Sequence, residues 1–530
     1  MSKEPCFAGV SQLSLRSLIF GAIGSAIITA SSIYVALRMS ALPWPTIFVA
    51  ILSMSILKGL GNTTLNEINV TQTAMSAGAM VAGGIAFTIP GLWITGIWHG
   101  DAFSEHFWEV FAIALAGMIL GSILTWYVRY RFVIQEKLPY PIGQAAAEAI
   151  IVGDAGGKKS ANLFGSMLFA SIFTFLRDGM GWIPAAFGTV LSPLAISTGY
   201  IIGLLYTGVW FLGGVLSYWI IIPLGPAFRL FPSPEAAAGF KTTAAIGLMI
   251  GTGVGNLLSY ILSSLKKSSA SNGESSDENR PVHSRMAKIL TWIALLIAFG
   301  FTMLAGLGPF PSCLLILGIF IASAMASTIT GETGINPMEI FGIIILLAIR
   351  LAVKTDDLQA FFIAAGVAIA CGYTGDLMND YKTGEILGTN PKAQLISQIV
   401  GGIVGTAMAT VSLFAVIRQF GGVGAEYGLP AAQAFAVSHM VNGIGDPVVF
   451  GAALLIGASL YLLKVPVMTL GIGMLLPFEF SIAVFLGGLI RFIIHRINPK
   501  FDETGTVTAS GFLGGEGLTG VVLAIFKALT

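Results

Sequence analysis

The chain has 530 residues, of which 55% are hydrophobic and 10% charged, with mean hydropathy +0.86, a balance that excludes a soluble globular domain. Net charge is +1, so neither a basic nucleic-acid footprint nor a polyanionic tail exists. At ~20 residues per membrane helix plus connectors, this length accommodates about 14 to 17 spans. Gly is abundant at 66 residues, which suits closely packed or broken membrane helices.

Leu15 to Leu37 is the first expected span, Trp44 to Leu60 the second, Thr71 to Ile97 the third and Phe107 to Val128 the fourth. Lys3, Arg16, Lys58, Arg129, Arg131 and Lys137 flank one side, whereas Asp101 and Glu105 occupy the other loop without a Lys or Arg. By the positive-inside rule the N-terminus is cytoplasmic, in a multi-pass protein of the cell membrane. Pro141 to Gly153 is too short to cross and reads as a half-helix or re-entrant element. Ala161 to Phe175 resumes the membrane. Ser192 to Pro223 is either one tilted helix or two short ones meeting near Gly208, and Phe240 to Leu265 follows.

Residues 266–286 form a Ser-rich, charged run that cannot bury enough apolar surface to fold by itself. It is expected to be a cytoplasmic linker between transmembrane halves at 1–265 and 287–530. The halves share short patterns. Pro193 and Pro466 each head an apolar segment followed by FLGG, at offsets of 273 and 274 residues. Ile68-Asn69 returns as Ile335-Asn336, and the Pro-x-x-Gln of Pro141 to Gln144 returns at Pro391 to Gln394. Common order argues for duplication, hence two pseudo-symmetric bundles with substrate at their interface. Both Pro-x-x-Gln elements are then expected to begin short or broken helices whose N-termini face a cavity. Pro466 to Ile497 is readable as one pass or two.

Between two apolar runs lies the stretch Gly375 to Gln398, GDLMNDYKTGEILGTNPKAQLISQ, which holds Asp376, Asp380, Lys382, Glu385 and Lys392. One reading buries these charges as a proton path or gate; the other solvates them in a cytoplasmic loop. Asp376 and Asp380, four apart, share a helix face in the first reading. Glu148 and Gln144 share a face of the short element made otherwise of small residues, which makes Glu148 the favoured single carboxylate. Gln394 and Gln398, at the corresponding place, offer neutral groups suited to peptide amides. Glu67, Asn69 and Gln72, and in the second half Glu332, Asn336 and Glu339, either line a cavity or cap helices. Glu516, among glycines, is read as a buried ion partner or a proton relay, and Arg177-Asp178 as a local salt bridge. His439, Asn442 and Asp446 fall at helical spacing in a Gly-rich segment, where His439 is more simply structural.

GDLMNDYKTGEILGTNPKAQLISQIVG, NEINVTQTAMSAGAMVAGGIAF, LPYPIGQAAAEAI (with Tyr140) and TASGFLGGEGLTGVV resemble, in order, signatures of the oligopeptide transporter family. That family includes the yellow stripe-like metal-chelate transporters. The resemblance implies an all-α, polytopic, proton-driven importer of small peptides or of metal chelates with about 16 transmembrane helices, needing no cofactor beyond the proton gradient. It raises Asp376 and Asp380 above the other charges and adds Tyr140 to the cavity residues. Expected partners are a peptide or small-molecule substrate, protons and the bilayer; the residues select no oligomeric state. His and Cys are too sparse for a bare-metal path, and neither a Walker motif nor an H-E-x-x-H or G-x-S-x-G constellation is present. That argues against ATP drive and against a membrane-embedded enzyme, and the broken, duplicated pattern argues against a channel.

Overall fold

A computed structural model describes residues 12–39, 45–100, 102–155, 157–184, 187, 190–270, 285–334, 336–424, 427, 429, 431–441, 446–499 and 501–529. Among these the chain is helical throughout, and one isolated bridge, Gly424 with Leu429, is the whole of its β-structure. Eight helices are long and apolar enough to cross a bilayer, and four shorter apolar ones accompany them. Leu205, Leu296, Leu351 and Leu455 are mostly exposed on the outer faces, as a lipid solvent allows. The protein is therefore an all-α, multi-pass membrane protein.

In chain order the helices used below are α1 (Leu15–Met39), α2 (Pro45–Gly59), α3 (Leu65–Ala86), α4 (Phe103–Arg129), α5 (Pro141–Ala155) and α6 (Gly157–Thr174). After them come α7 (Pro193–Ile202), α8 (Leu204–Val215), α9 (Pro234–Ala270), α10 (Arg285–Leu304), α11 (Pro309–Thr333) and α12 (Met338–Ala352). The last seven are α13 (Asp357–Leu387), α14 (Pro391–Phe420), α15 (Ala432–Val441), α16 (Pro447–Leu462), α17 (Val467–Leu475), α18 (Phe478–Ile497) and α19 (Phe501–Leu529).

The axis of the molecule is α13. Every residue from Ala360 to Gly384 is buried, so this helix touches protein on all sides. It packs against α3, α4, α11 and α12, with α1 and α14 completing the bundle beside α3. Asp356 caps its start by accepting from the Gln359 amide at 2.7 Å, and Gly388, at φ 73°, ends it. A helix of 31 residues is about 46 Å long, enough to cross a bilayer and carry its polar turns inside.

A second group, α7, α8, α9, α16, α17 and α18, packs together, while α19 runs against α6, α7, α5 and α2. Within this group the repeat becomes geometry. A Cβ placed on Gly199 would lie 1.8 Å from the Val484 carbonyl oxygen, and one on Gly473 would lie 1.9 Å from that of Trp210. Likewise Gly213 abuts the Leu470 carbonyl at 2.1 Å and Gly487 that of Ile196 at 1.8 Å. Adding 274 to the first-half number of a pair and subtracting 274 from its second-half number yields the mate: the same two contacts are made twice with the halves exchanged. This is the signature of a local two-fold, and it requires bare glycine at four close backbone crossings.

Several expectations need correction. The segment after Ser192 is two helices, but they meet at Gly203, whose φ of 92° is open to glycine and costly for other residues, rather than near Gly208. Pro466 to Ile497 is two helices separated at Leu476 and Pro477. The polar run does not begin as a linker at Lys266, because α9 continues to Ala270; residues 271–284 lie outside the described residues. Pro141 does open a short helix, whereas Pro391 opens one of 30 residues. The reason is local: after α5 the chain runs into GDAGGKK, while α14 continues through IVGGIVGTAMATVSLFAV with no charge to stop it.

Candidate functional site

The polar face of α13 is assembled by spacing. Asp376, Asn379, Asp380 and Thr383 recur every three or four residues, so they stack on adjoining turns of one helix. All four are buried, Asp380 fully. The stretch Asp376 to Gly384 is thus interior helix, which overturns its reading as a solvated loop, while Glu385 just beyond it is exposed. Four polar positions on a buried face are sustained only by partners on neighbouring helices.

Those partners come from both halves of the chain. Gln72 of α3 donates through Nε2 to Asp380 Oδ1 at 2.9 Å, and Ser76 Oγ lies 3.5 Å from the same oxygen. Asp380 Oδ2 and Gln72 Oε1 are buried without a hydrogen-bond partner among the described residues. One turn earlier on α3, Asn69 donates to Thr389 Oγ1 at 3.1 Å, and its Oδ1 also lacks a partner among the described residues. Gln394 Nε2 donates to the Asp380 backbone carbonyl at 2.8 Å and lies 3.3 Å from Thr73 Oγ1. Gln398 accepts from the Tyr381 hydroxyl at 2.9 Å and approaches Ser122 Oγ at 3.3 Å. These two glutamines tie α14 to α13, α3 and α4 instead of presenting free amides.

On the other side of the face, Asn336 donates through Nδ2 to Asp376 Oδ2 at 3.0 Å and to the Cys371 carbonyl at 2.8 Å. Capping is excluded for both asparagines. Thr64 caps α3 and Pro337 occupies the cap of α12, leaving the amides of Asn69 and Asn336 to the acids and their surroundings.

The short α5 is docked onto this face by its first turn. The Gly143 amide donates to Asn379 Oδ1 at 3.0 Å, and Thr383 Oγ1 donates to the Gly143 carbonyl at 2.9 Å. A Cβ at Gly143 would lie 2.4 Å from the Asn379 carbonyl oxygen. Tyr140, fully buried at φ 43°, donates its hydroxyl to the Ser327 carbonyl and its amide to that of Gly331, both at 2.9 Å. It anchors the turn to α11. On the remainder of α5, Glu148 is half-buried, and Gln144 is exposed and donates to the Pro139 carbonyl at 2.7 Å. The structure therefore does not place Gln144 in the interior, and Asp376 and Asp380 are more deeply buried than Glu148.

Other expected residues take part elsewhere. Glu67 is clamped by Arg16 at 2.5 Å, Ser14 at 2.5 Å and Thr63 at 2.8 Å, a tie between the starts of α1 and α3. Lys382 pairs with Glu385 at 2.9 Å. Glu516 accepts from Arg177 at 2.8 Å, from Ser192 at 2.9 and 3.0 Å, and from the Leu194 amide at 2.9 Å. With its oxygens so engaged, it locks α19 to the start of α7 and to Arg177, which also holds Asp178 at 2.7 Å. Asp446 caps α16 by accepting from the Val448 and Val449 amides. Asn442 lies outside the described residues, as do the side chains of His439 and Glu332.

Two cavities lie away from the acids. One of about 300 Å³ is lined by Ile94, Thr95, Phe361 and Ser438, near the opposite end of α13. Phe361 is some fifteen residues, or about 22 Å of helix, from Asp376. The other, about 470 Å³ and apolar, lies between α7, α18 and α19. An aromatic cluster closes the first end: Trp93 and Phe103 approach Phe414 at 5.8 and 5.7 Å, and Trp98 meets Phe362 at 6.2 Å. No group of three or more His, Cys, Asp or Glu positioned to hold a metal ion occurs among the described residues.

Asn379, Thr383, Ser76 and Thr330 are the members of the buried polar face that the charge pattern alone does not reveal. For Asn379 and Thr383 the signal is present in the sequence as polar residues at helical spacing around Asp376 and Asp380, whereas Ser76 and Thr330 lie on α3 and α11 and only packing brings them to the acids.

The OPT oligopeptide transporter protein family model matches residues 12–527. A Haemophilus influenzae protein provisionally named an oligopeptide transporter is 26% identical, over 93% of this chain and 92% of its own. A rice protein provisionally named a metal-nicotianamine transporter is 26% identical over 79% of this chain and 75% of its own. A metal-nicotianamine transporter of Arabidopsis thaliana is 23% identical over 75% and 72%. These relatives are transporters rather than enzymes. With the family model covering nearly the whole length of an all-α membrane protein, the chain belongs to the oligopeptide transporter family.

Proposed function

We propose that this protein is a proton-driven symporter that imports small oligopeptides or peptide-like compounds across the cell membrane by alternating access, with its N-terminus cytoplasmic. The observation that carries the proposal is Asp380. Its side chain is fully buried, on a helix surrounded by protein, with one oxygen held by Gln72 and the other lacking a donor among the described residues. A carboxylate in that position is stabilised by taking up a proton, because Oδ2 then becomes a donor amid surplus acceptors. Binding and release of that proton change which acceptors around α3 and α13 are satisfied, which links protonation to helix packing.

Alternating access is supported by the layout along α13. The acids lie between the aromatic cluster at one end and the Asn69, Thr389 and Gln394 ties at the other. Opening either end in turn exposes the acids to one side. A metal-chelate substrate is the second reading, favoured by the metal-nicotianamine transporters among the relatives.

The test is uptake by the purified protein in liposomes. Labelled di- to hexapeptides accumulate when an inward proton gradient is imposed, and a protonophore abolishes accumulation. Accumulation indifferent to the protonophore overturns the coupling. Accumulation of a ferric chelate in place of any peptide selects the second substrate class.

A further inference from the structure

We propose that Asp376, Asn336 and Thr330 form a subsite for a primary ammonium group of the transported molecule. The inference rests on the transporter reading above and assigns to Asp376 a task separate from that of Asp380. Asp376 is 8% exposed and Thr330 fully buried. Asn336 spends its Nδ2 on Asp376 Oδ2 at 3.0 Å and on the Cys371 carbonyl at 2.8 Å. What remains is Asp376 Oδ1, Asn336 Oδ1 and Thr330 Oγ1, each buried without a partner among the described residues.

The surroundings of Gly375 place the Asn336 and Thr330 side chains next to each other beside Asp376. A Cβ built there would lie 2.3 Å from Asn336 Nδ2 and 2.8 Å from Thr330 Oγ1, so both side chains fill the space that a larger residue would occupy beside Asp376. A buried carboxylate oxygen, an amide oxygen and a hydroxyl oxygen left without donors are costly to desolvate. The ligand that removes this cost must bring donors, and preferably positive charge. A primary ammonium carries three N–H donors and one charge, matching three acceptors and one carboxylate. Hard divalent cations require a fuller oxygen shell, about six ligands or more, than these three groups supply. A backbone amide of a substrate supplies a single donor and leaves the carboxylate uncompensated.

The experiment compares trialanine, N-acetyltrialanine, propylammonium chloride and sodium chloride as ligands of the full-length protein in lipid nanodiscs, read by calorimetric binding at matched ionic strength. Trialanine and propylammonium are expected to bind, and N-acetylation to weaken binding about tenfold or more, the scale of one charge-assisted hydrogen-bond set. Asp376→Asn removes that preference for the free amine. Thr330→Val, the gentler variant, weakens amine binding about threefold to tenfold. Both variants are judged only as monodisperse protein, so a folding defect in Asp376→Asn leaves Thr330→Val as the deciding case. Equal affinity for the acetylated peptide, an equal response to sodium, binding of neither amine, or an unchanged preference in folded variants overturns the subsite. Loss of proton dependence in liposomes with the amine preference intact would overturn the coupling reading and leave the subsite standing.

Discussion

Two acids four residues apart on α13 hold different company. Asp380 faces Gln72 and Ser76 from α3, whereas Asp376 faces Asn336 at the start of α12. Asp380→Asn is expected to abolish gradient-driven accumulation in liposomes while leaving exchange of labelled for unlabelled substrate, since the amide cannot carry the proton. Loss of exchange as well, in folded protein, would move Asp380 from coupling to binding. Glu148→Gln is expected to reduce accumulation less than Asp380→Asn, because Glu148 is half-buried whereas Asp380 is fully buried on the central helix. Asp376 and Asp380 stand out in the sequence as charges beside apolar runs. Their partners Gln72 and Asn336 are recognisable as candidates too, but their pairing crosses more than 300 residues in one case, and no local pattern records it.

At the scale of elements, charge patterning proved a weak guide to where helices stop. The loop reading fails for Asp376 to Gly384 because a helix tolerates charges wherever neighbouring helices satisfy them, and α3 does so here for Asp380 and Asn336, just before α12, for Asp376. The break at Pro141 was legible, since proline and polar punctuation act locally, whereas Pro466 to Ile497 was readable as one pass or two and the structure breaks it at Leu476 and Pro477. The break at Gly203 was not, because any of several glycines in that segment could have supplied the positive φ. The docking of α5 on α13 gives a prediction at this scale. Gly143→Ala would press a methyl against the Asn379 carbonyl at 2.4 Å, costing about 1–3 kcal/mol as overpacking. A lower unfolding midpoint in detergent checks it, and an unchanged midpoint would show that α5 can lift away without loss.

For the whole molecule, the exchanged glycine crossings are the clearest trace of duplication. Gly199→Ala and Gly473→Ala occupy corresponding places, at 1.8 and 1.9 Å from a facing carbonyl, and are expected to lower the unfolding midpoint by similar amounts. A large effect from one and none from the other would mean that only one crossing bears on stability. The group carrying these crossings packs largely within itself; Glu516, with Arg177 and Ser192, holds α19 to its α7, and α19 in turn packs against α1, α2 and α5.

Composition and hydropathy by themselves determined that the chain is an all-α membrane protein, because a bilayer leaves a chain this apolar only helices or a closed barrel and the runs are of helix length. Ordered motifs determined the family, since short signatures survive along the whole chain. Only the tertiary structure decided which charges are buried, that Glu516 is a lock and Glu67 a tie, and that the acids of α13 are met by side chains from both halves. The physical reason is that burying a charge is settled by the partners that surround it, and those partners are brought together by packing between segments far apart in sequence.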